Sequence, residues 1–220
     1  MTVTWDLLLP TIAHRHDLAC GLLEEIARQH QPGLGVLVYR DNLQLRGNAS
    51  YAKWQALEEM SAADYTSFIS DDDWVAPDFV ARIMEALGSG PDCVGFRYRY
   101  TVDGVPGPGV VHSLRYDGWS GNESGDFTRP IGHYNPIRRE LALLAEWKPV
   151  QDADRHWSAA LTASGQLRTE AFIDEEMYWY RETGESWSRR LESWPEPLPA
   201  DQIRPLPDYP WLTVRDEALA

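Results

Sequence analysis

Asp71, Asp72 and Asp73 stand side by side in the stretch FISDDDWVAPDFV, residues 68–80. Like charges this close repel one another. A divalent cation would relieve that repulsion. Hard carboxylate oxygens suit Mg2+ or Mn2+, and such an ion keeps open positions for a substrate's phosphates. The plainer alternative makes the first Asp a cap for the helix that starts near Pro77 and leaves the others solvated. A second cluster, RPIGHYNPIRRE at 129–140, gathers Arg129, His133, Arg138 and Arg139. Guanidinium forks match phosphate oxygens, and beside a cation they stabilise a departing diphosphate. Surface charge and a hydrogen-bonded structural His are the plainer readings there.

The elements that must position these groups read as an alternation. WDLLL (5–9), GVLVY (35–39) and YTSFI (65–69) are apolar runs of strand length. Each is followed by a helical pattern: 17–29 with Asp17 as N-cap, 50–60 opened by Ser50, and Pro77 to Leu87. Strand–helix repeated three times predicts a mostly parallel sheet with helices on both faces. CVGFRYRYTV (93–102) is a longer strand, DGVPGPG (103–109) a loop, and VVHSLRY (110–116) its hairpin partner. Residues 117–132 read as a surface loop, 136–146 and 154–163 as helices, and EAFIDEEMYWY (170–180) as a last strand. Residues 195–210 hold six prolines and read as an extended or disordered tail.

In an open sheet of this kind, ligands sit at the carboxyl ends of the strands, which is where the three aspartates fall. The formal net charge of −14 disfavours nucleic acid as a general partner without excluding it. The two cysteines, Cys20 and Cys93, lie in apolar segments and read as buried thiols of a reducing cytoplasm. There is no run of 18 apolar residues, so no membrane span is expected.

The ordered set LLLPTIAHRHDLACGLLEEI, VLVYRDN and SYAKWQALEEMSAADYTSFISDDDWVAPDFVARIMEAL resembles nucleotide-sugar glycosyltransferases of the GT-A fold, especially family 2. The likeness is good over residues 5–100 and looser over 130–185. It implies an α/β, Rossmann-like GT-A domain at 1–194, with a nucleotide-sugar half at 1–102 and an acceptor-side half at 103–194, followed by a Pro-rich acidic tail at 195–220. It implies a metal-dependent transferase moving a sugar from a nucleoside diphosphate, UDP foremost, to an acceptor hydroxyl on a glycan, a protein or a modified nucleobase. Small stand-alone transferases of this kind occur in bacteria and bacteriophages.

Carried over by position, Pro10 and Thr11 border the nucleotide base, Asp41 accepts hydrogen bonds from it, and Lys53 faces the nucleotide. Asp72 is the direct ligand of Mn2+ or Mg2+, with Asp71 or Asp73 assisting, and Ser70 stands where the family has its first Asp. Asp154, with Asp152 as the near alternative, is the base that deprotonates the acceptor in an inverting reaction. His133 touches acceptor or metal, and Arg138 the diphosphate. Two other readings remain. A nucleotidyltransferase lacks support because PTIAHRHD is no Gly-rich phosphate loop, and a non-catalytic carbohydrate- or nucleotide-binding module is favoured by Ser70 and by Ala153.

Overall fold

The computed structural model describes residues 3–43, 50–122, 125–183 and 195–218. Its first half follows the expected alternation. Strand β1 is Trp5–Ile12, helix α1 His16–Gln29, strand β2 Leu34–Asp41, helix α2 Tyr51–Met60, and strand β3 Tyr65–Phe68. A two-residue strand β4, Trp74–Val75, precedes helix α3, Phe79–Leu87. Strand β1 lies between β2 and β3 and runs parallel to both.

The apolar runs continue without polar breaks because both faces of these strands are covered. Trp5, Leu7 and Leu9 pack with Leu22, Leu23 and Ile26 of α1 and with Phe79, Val80 and Ile83 of α3. Leu8 points the other way, into a cluster with Leu57, Phe68, Trp147, Trp157 and Leu161. Alternate residues of one strand thus feed two cores. Pro10 does not stop β1, because its register partner is Tyr39 and the strand runs on to Ile12.

Beyond β3 the sheet changes hand. Strand β5, Cys93–Val102, is followed by the short β6 (Val105–Pro106), β7 (Val110–His112), β8 (Ser120–Gly121) and β9 (Phe127–Arg129). β7 pairs antiparallel with β5, as the hairpin reading expected, and β8 and β9 add sheet structure inside the segment read as loop. The helix expected at 136–146 is largely absent. Ile137–Arg138 is strand β10, antiparallel to both β3 and β5, and only Arg139–Ala142 forms a helix, α4. The bridge fills the gap between two strands that do not touch each other. Helix α5, Ala153–Ser164, ends as expected at Gly165, whose φ of 64° needs no Cβ penalty.

Strand β11, Glu170–Glu182, runs parallel to β5 along its whole length and turns β4 into its antiparallel neighbour at Tyr178 and Trp179. The tail is not simply extended: Leu212–Asp216 is strand β12, parallel to β2. Asp17 lies in the first turn of α1 rather than at its cap, and its carboxylate accepts from Arg204 at 2.8 Å. No helix among the described residues is long and apolar enough to cross a membrane.

Candidate active site

The three aspartates share a loop between β3 and β4 but face different ways. Asp71 is buried and has both oxygens engaged: Thr11 Oγ1 donates to one at 2.6 Å, and Arg15 Nη1 to the other at 2.7 Å. Asp73 is buried and equally committed, accepting from the Tyr178 hydroxyl at 2.7 Å and from the Arg181 backbone N–H at 2.8 Å. The Arg181 guanidinium also donates to the carbonyls of Asp72 and Asp73. Asp72 is the least buried of the three, its side chain 13% exposed, with Arg15 3.4 Å away. Burial, then the neighbouring Asp71, push the Asp72 pKa up, and burial followed by Asp72 pushes Asp73 well up. Arg15 and Arg181 offset part of that rise at Asp72, and Arg181 part of it at Asp73.

This bears on the expected cation. Among the described residues, no three His, Cys, Asp or Glu side chains converge on one point. A three-carboxylate grip by Asp71, Asp72 and Asp73 does not fit, because two of the three have their oxygens spent. One carboxylate does fit the usual magnesium mode, in which one or two carboxylates join substrate phosphates and water. Asp72 would hold Mn2+ or Mg2+ in that mode, and the ion would neutralise the diphosphate.

Along the same carboxyl edge, Asp41 and Lys53 form a buried ion pair, Nζ to Oδ1 at 2.8 Å, and Nζ also donates to the Thr11 carbonyl at 3.2 Å. Burial lowers the Lys53 pKa against the opposing pull of Asp41. Asp41, Lys53, Thr11 and Asp71 are thus joined at the ends of β1 and β2 and the start of α2. Asn42 exchanges two hydrogen bonds with the Leu198 backbone, and His14 bonds the Glu196 carbonyl, so residues 196–198 cross this edge. Sequence reasoning missed that crossing.

Arg138 is elsewhere. It pairs with Tyr65 at the amino end of β3, donates to the Gly90 and Pro91 carbonyls, and is too far along the strand to reach the aspartate loop. Its expected diphosphate contact is not supported by this placement. Asp152 is exposed, in the left-handed region at φ 56°, at the cap position of α5.

Asp154 and His133 do meet, on the wall of a cavity of about 350 Å3. Its lining is aromatic, with Tyr98, Tyr100, Trp119, Phe127, Tyr134 and Tyr180. His133 is stacked on Trp54 and packed against Tyr134, and its backbone carbonyl accepts the Phe68 N–H at 2.7 Å. Burial pushes its pKa down to about 4, with Asp154 opposing, so the ring is neutral near pH 7. His112 is stacked flat on Tyr98, burial pushes it down to about 3, and its Nδ1 has no hydrogen-bond partner.

The cavity abuts the aspartate loop. The Tyr134 hydroxyl bonds Ser70 Oγ at 2.9 Å, and the charges of Asp72 and Asp73 both act on the Tyr180 hydroxyl. Arg15 and Arg181 are the site residues that sequence reasoning missed. Arg181 carried a weak signal, as the next residue after a strand of alternating aromatics.

The sequence matches no protein-family model and no curated protein. Solved structures do match. S. aureus TarS superposes with a TM-score of 0.62 at 10% identity, over 83% of this chain and 37% of that one. TarS 1–349 in complex with UDP-GlcNAc gives 0.58 at 11% identity, over 82% and 59% of the two chains. The complex with UDP gives 0.57 at 12% identity, over 83% and 62%. This chain therefore spans less than two thirds of the chains it matches. The likeness establishes the fold, a GT-A-like glycosyltransferase fold with a mostly parallel central sheet.

Proposed function

We propose that this GT-A-like chain transfers a sugar from a nucleoside-diphosphate donor, a UDP-sugar, to an acceptor hydroxyl. The observation that carries the reading is the shared wall between two half-sites. The aspartate loop lies at the carboxyl edge of a parallel sheet, where nucleotides bind in such folds. Through Ser70, Tyr134 and Tyr180 it adjoins a cavity that contains a carboxylate. TarS structures of the same fold hold UDP and UDP-GlcNAc.

Asp41, Lys53 and Thr11 form the nucleotide side, with Pro10 half-buried just before them. Asp72 faces the diphosphate and would hold Mn2+ or Mg2+, which stabilises the negative charge of the leaving group when bound. Arg15 and Arg181, already beside Asp72, are cations placed to meet the same charge. Asp154 is the general base: half-buried on the cavity wall, it takes the proton of the acceptor hydroxyl as the sugar is attacked. His133, neutral and wedged among aromatics, orients that region rather than exchanging protons. The aromatic rings offer flat faces to a sugar or polyol.

A non-catalytic binding module is the reading favoured by Ser70 and by the spent oxygens of Asp71 and Asp73. One assay separates the two. Released UDP is measured over a panel of UDP-sugars with Mn2+, beside calorimetric titration of UDP. Turnover that Asp154→Asn removes supports the transferase. UDP binding with no turnover on any donor or acceptor leaves the module.

A further inference from the structure

The stretch PEPLP, residues 195–199, crosses the carboxyl ends of β1 and β2 through its main-chain atoms. The two strands end in register at Ile12 and Asp41. His14, just past the first end, donates from Nε2 to the Glu196 carbonyl at 2.8 Å. Asn42, just past the second, donates from Nδ2 to the Leu198 carbonyl at 2.7 Å and accepts the Leu198 N–H at 2.8 Å. Proline has no N–H, so the Leu198 amide is the only main-chain donor within residues 197–199, and it is spent on Asn42.

The ground so covered is the ground assigned to the nucleotide. Asp41 is fully buried, Thr11 is 3% exposed and Asn42 7%. A base reaches these groups only by displacing chain that is already there. What Asn42 holds is equally telling. A side-chain amide sets an acceptor beside a donor. The main chain of Leu198 presents the complementary pair, an N–H and a C=O. The imide edge of uracil presents the same pair, its N3–H beside a carbonyl oxygen. The two are interchangeable partners for Asn42.

The hold on this segment is light. Leu198 belongs to neither hydrophobic cluster. Firm attachment begins at Arg204, whose carbonyl accepts from the buried Arg40 at 2.7 Å. Leu206, Tyr209 and Trp211 then pack on the first core, and β12 pairs with β2. Residues 195–199 are thus free to lift while 204–216 stay in place.

Resting on the assignment of the nucleotide to this edge, we propose that residues 196–198 are a built-in competitor of the nucleobase. The Leu198 main chain occupies Asn42 until the uracil of a UDP-sugar replaces it. The apparent affinity for the donor is then the intrinsic affinity multiplied by the fraction of chains in which the segment has lifted. Whatever draws 195–199 away raises donor binding, and the diphosphate contacts at Asp72 are untouched.

The test measures UDP binding by calorimetry, and exchange of the Leu198 amide with water by NMR, in the full chain carrying labelled leucine nitrogen. Leu198→Pro removes that amide, which assigns its resonance, and proline suits an extended position between two prolines. It withdraws the donor that competes for Asn42 Oδ1 and is expected to bind UDP about tenfold more tightly, the size of one net hydrogen bond. His14→Ala, at an exposed position, loosens the same segment and is expected to gain about threefold. Inorganic pyrophosphate with Mg2+, which has no base, should bind all three chains alike. In the unaltered chain, saturating UDP should speed exchange of the Leu198 amide by about tenfold or more. Equal or weaker UDP binding in both variants, or a Leu198 amide that stays slow under saturating UDP, overturns the proposal and leaves the transferase reading standing. Should Leu198→Pro not fold, His14→Ala and the amide exchange decide the matter. UDP that binds none of the three chains removes the nucleotide reading, and this competitor with it.

Discussion

The carboxyl edge of the sheet and the aromatic cavity are built on opposite terms. At the edge the fully buried carboxylates have partners within the chain: Asp41 with Lys53, Asp71 with Thr11 and Arg15, Asp73 with Tyr178 and Arg181. In the cavity the polar groups lie among aromatic rings, with His112 Nδ1 buried without a hydrogen-bond partner and two arginines resting on rings. The difference separates two costs of binding. A ligand at the edge must trade existing contacts for new ones, so its affinity depends on what it repays. A ligand in the cavity meets a site whose desolvation has already been met by folding.

The sharpest way to break this contrast is to remove the one catalytic group assigned to the cavity. Asp154→Asn is expected to lower turnover by about 10²- to 10⁴-fold. The UDP affinity measured by calorimetry should stay within about twofold, because the change is not at the carboxyl edge proposed to hold the nucleotide. A matched fall in UDP affinity would merge the two regions into one.

At the edge, the largest effect is on stability. Lys53→Met leaves Asp41 as an uncompensated buried charge and is expected to cost about 3–5 kcal/mol in urea unfolding. The double variant Lys53→Met with Asp41→Leu should recover most of it, since the pair rather than either charge is what the fold accommodates. Asp72→Ala, by contrast, should leave stability nearly unchanged and remove any gain in UDP affinity produced by Mn2+. A Mn2+ gain that persists in that variant would move the ion to another ligand.

Tyr178→Phe removes the hydroxyl that serves both Asp73 and the Ser70 backbone, and is expected to cost about 1–3 kcal/mol. A further expected effect is a pH trend beneath the cavity wall. Glu58 is buried and accepts from Trp147 Nε1 at 3.0 Å, and burial raises its pKa from 4.5 to about 8. Its folded pKa lies above its unfolded one, so its contribution to stability is complete below pH 4.5 and is lost as pH rises through about 8. Glu58→Gln should flatten that fall between pH 5 and 8 while leaving donor binding alone. An unchanged pH profile in the variant would assign the trend to other groups.

What could be read in the sequence follows from how local each signal is. The strands β1, β2 and β3 declared themselves because burial on both faces demands unbroken apolar runs, and α3 because its apolar stripe falls at helical spacing. The aspartate loop was visible as a cluster of like charges. The orientation of each carboxylate was not, since it depends on Arg15, Tyr178 and Arg181, the last two more than a hundred residues away in the chain. β10 escaped notice because two residues have no period, and the neighbouring RRELA pattern looks helical. Arg138 was misjudged for the same reason: once Ile137–Arg138 is a strand antiparallel to β3, its side chain belongs to the opposite end of the sheet. The six prolines of 195–210 pointed to an irregular tail and concealed the strand that follows them.

That last strand also has a protective role. β12 caps the outer flank of β2 from Val36 to Arg40, and Tyr39 and Arg40 are fastened to Glu217 and Asp216. Stripped of it, β2 would present a row of unsatisfied amides beside Val36 and Val38, a ready template for pairing with another molecule. Shortening the chain before Leu212 should therefore betray itself first as self-association, before any loss of the Asp41–Lys53 pair that β2 carries.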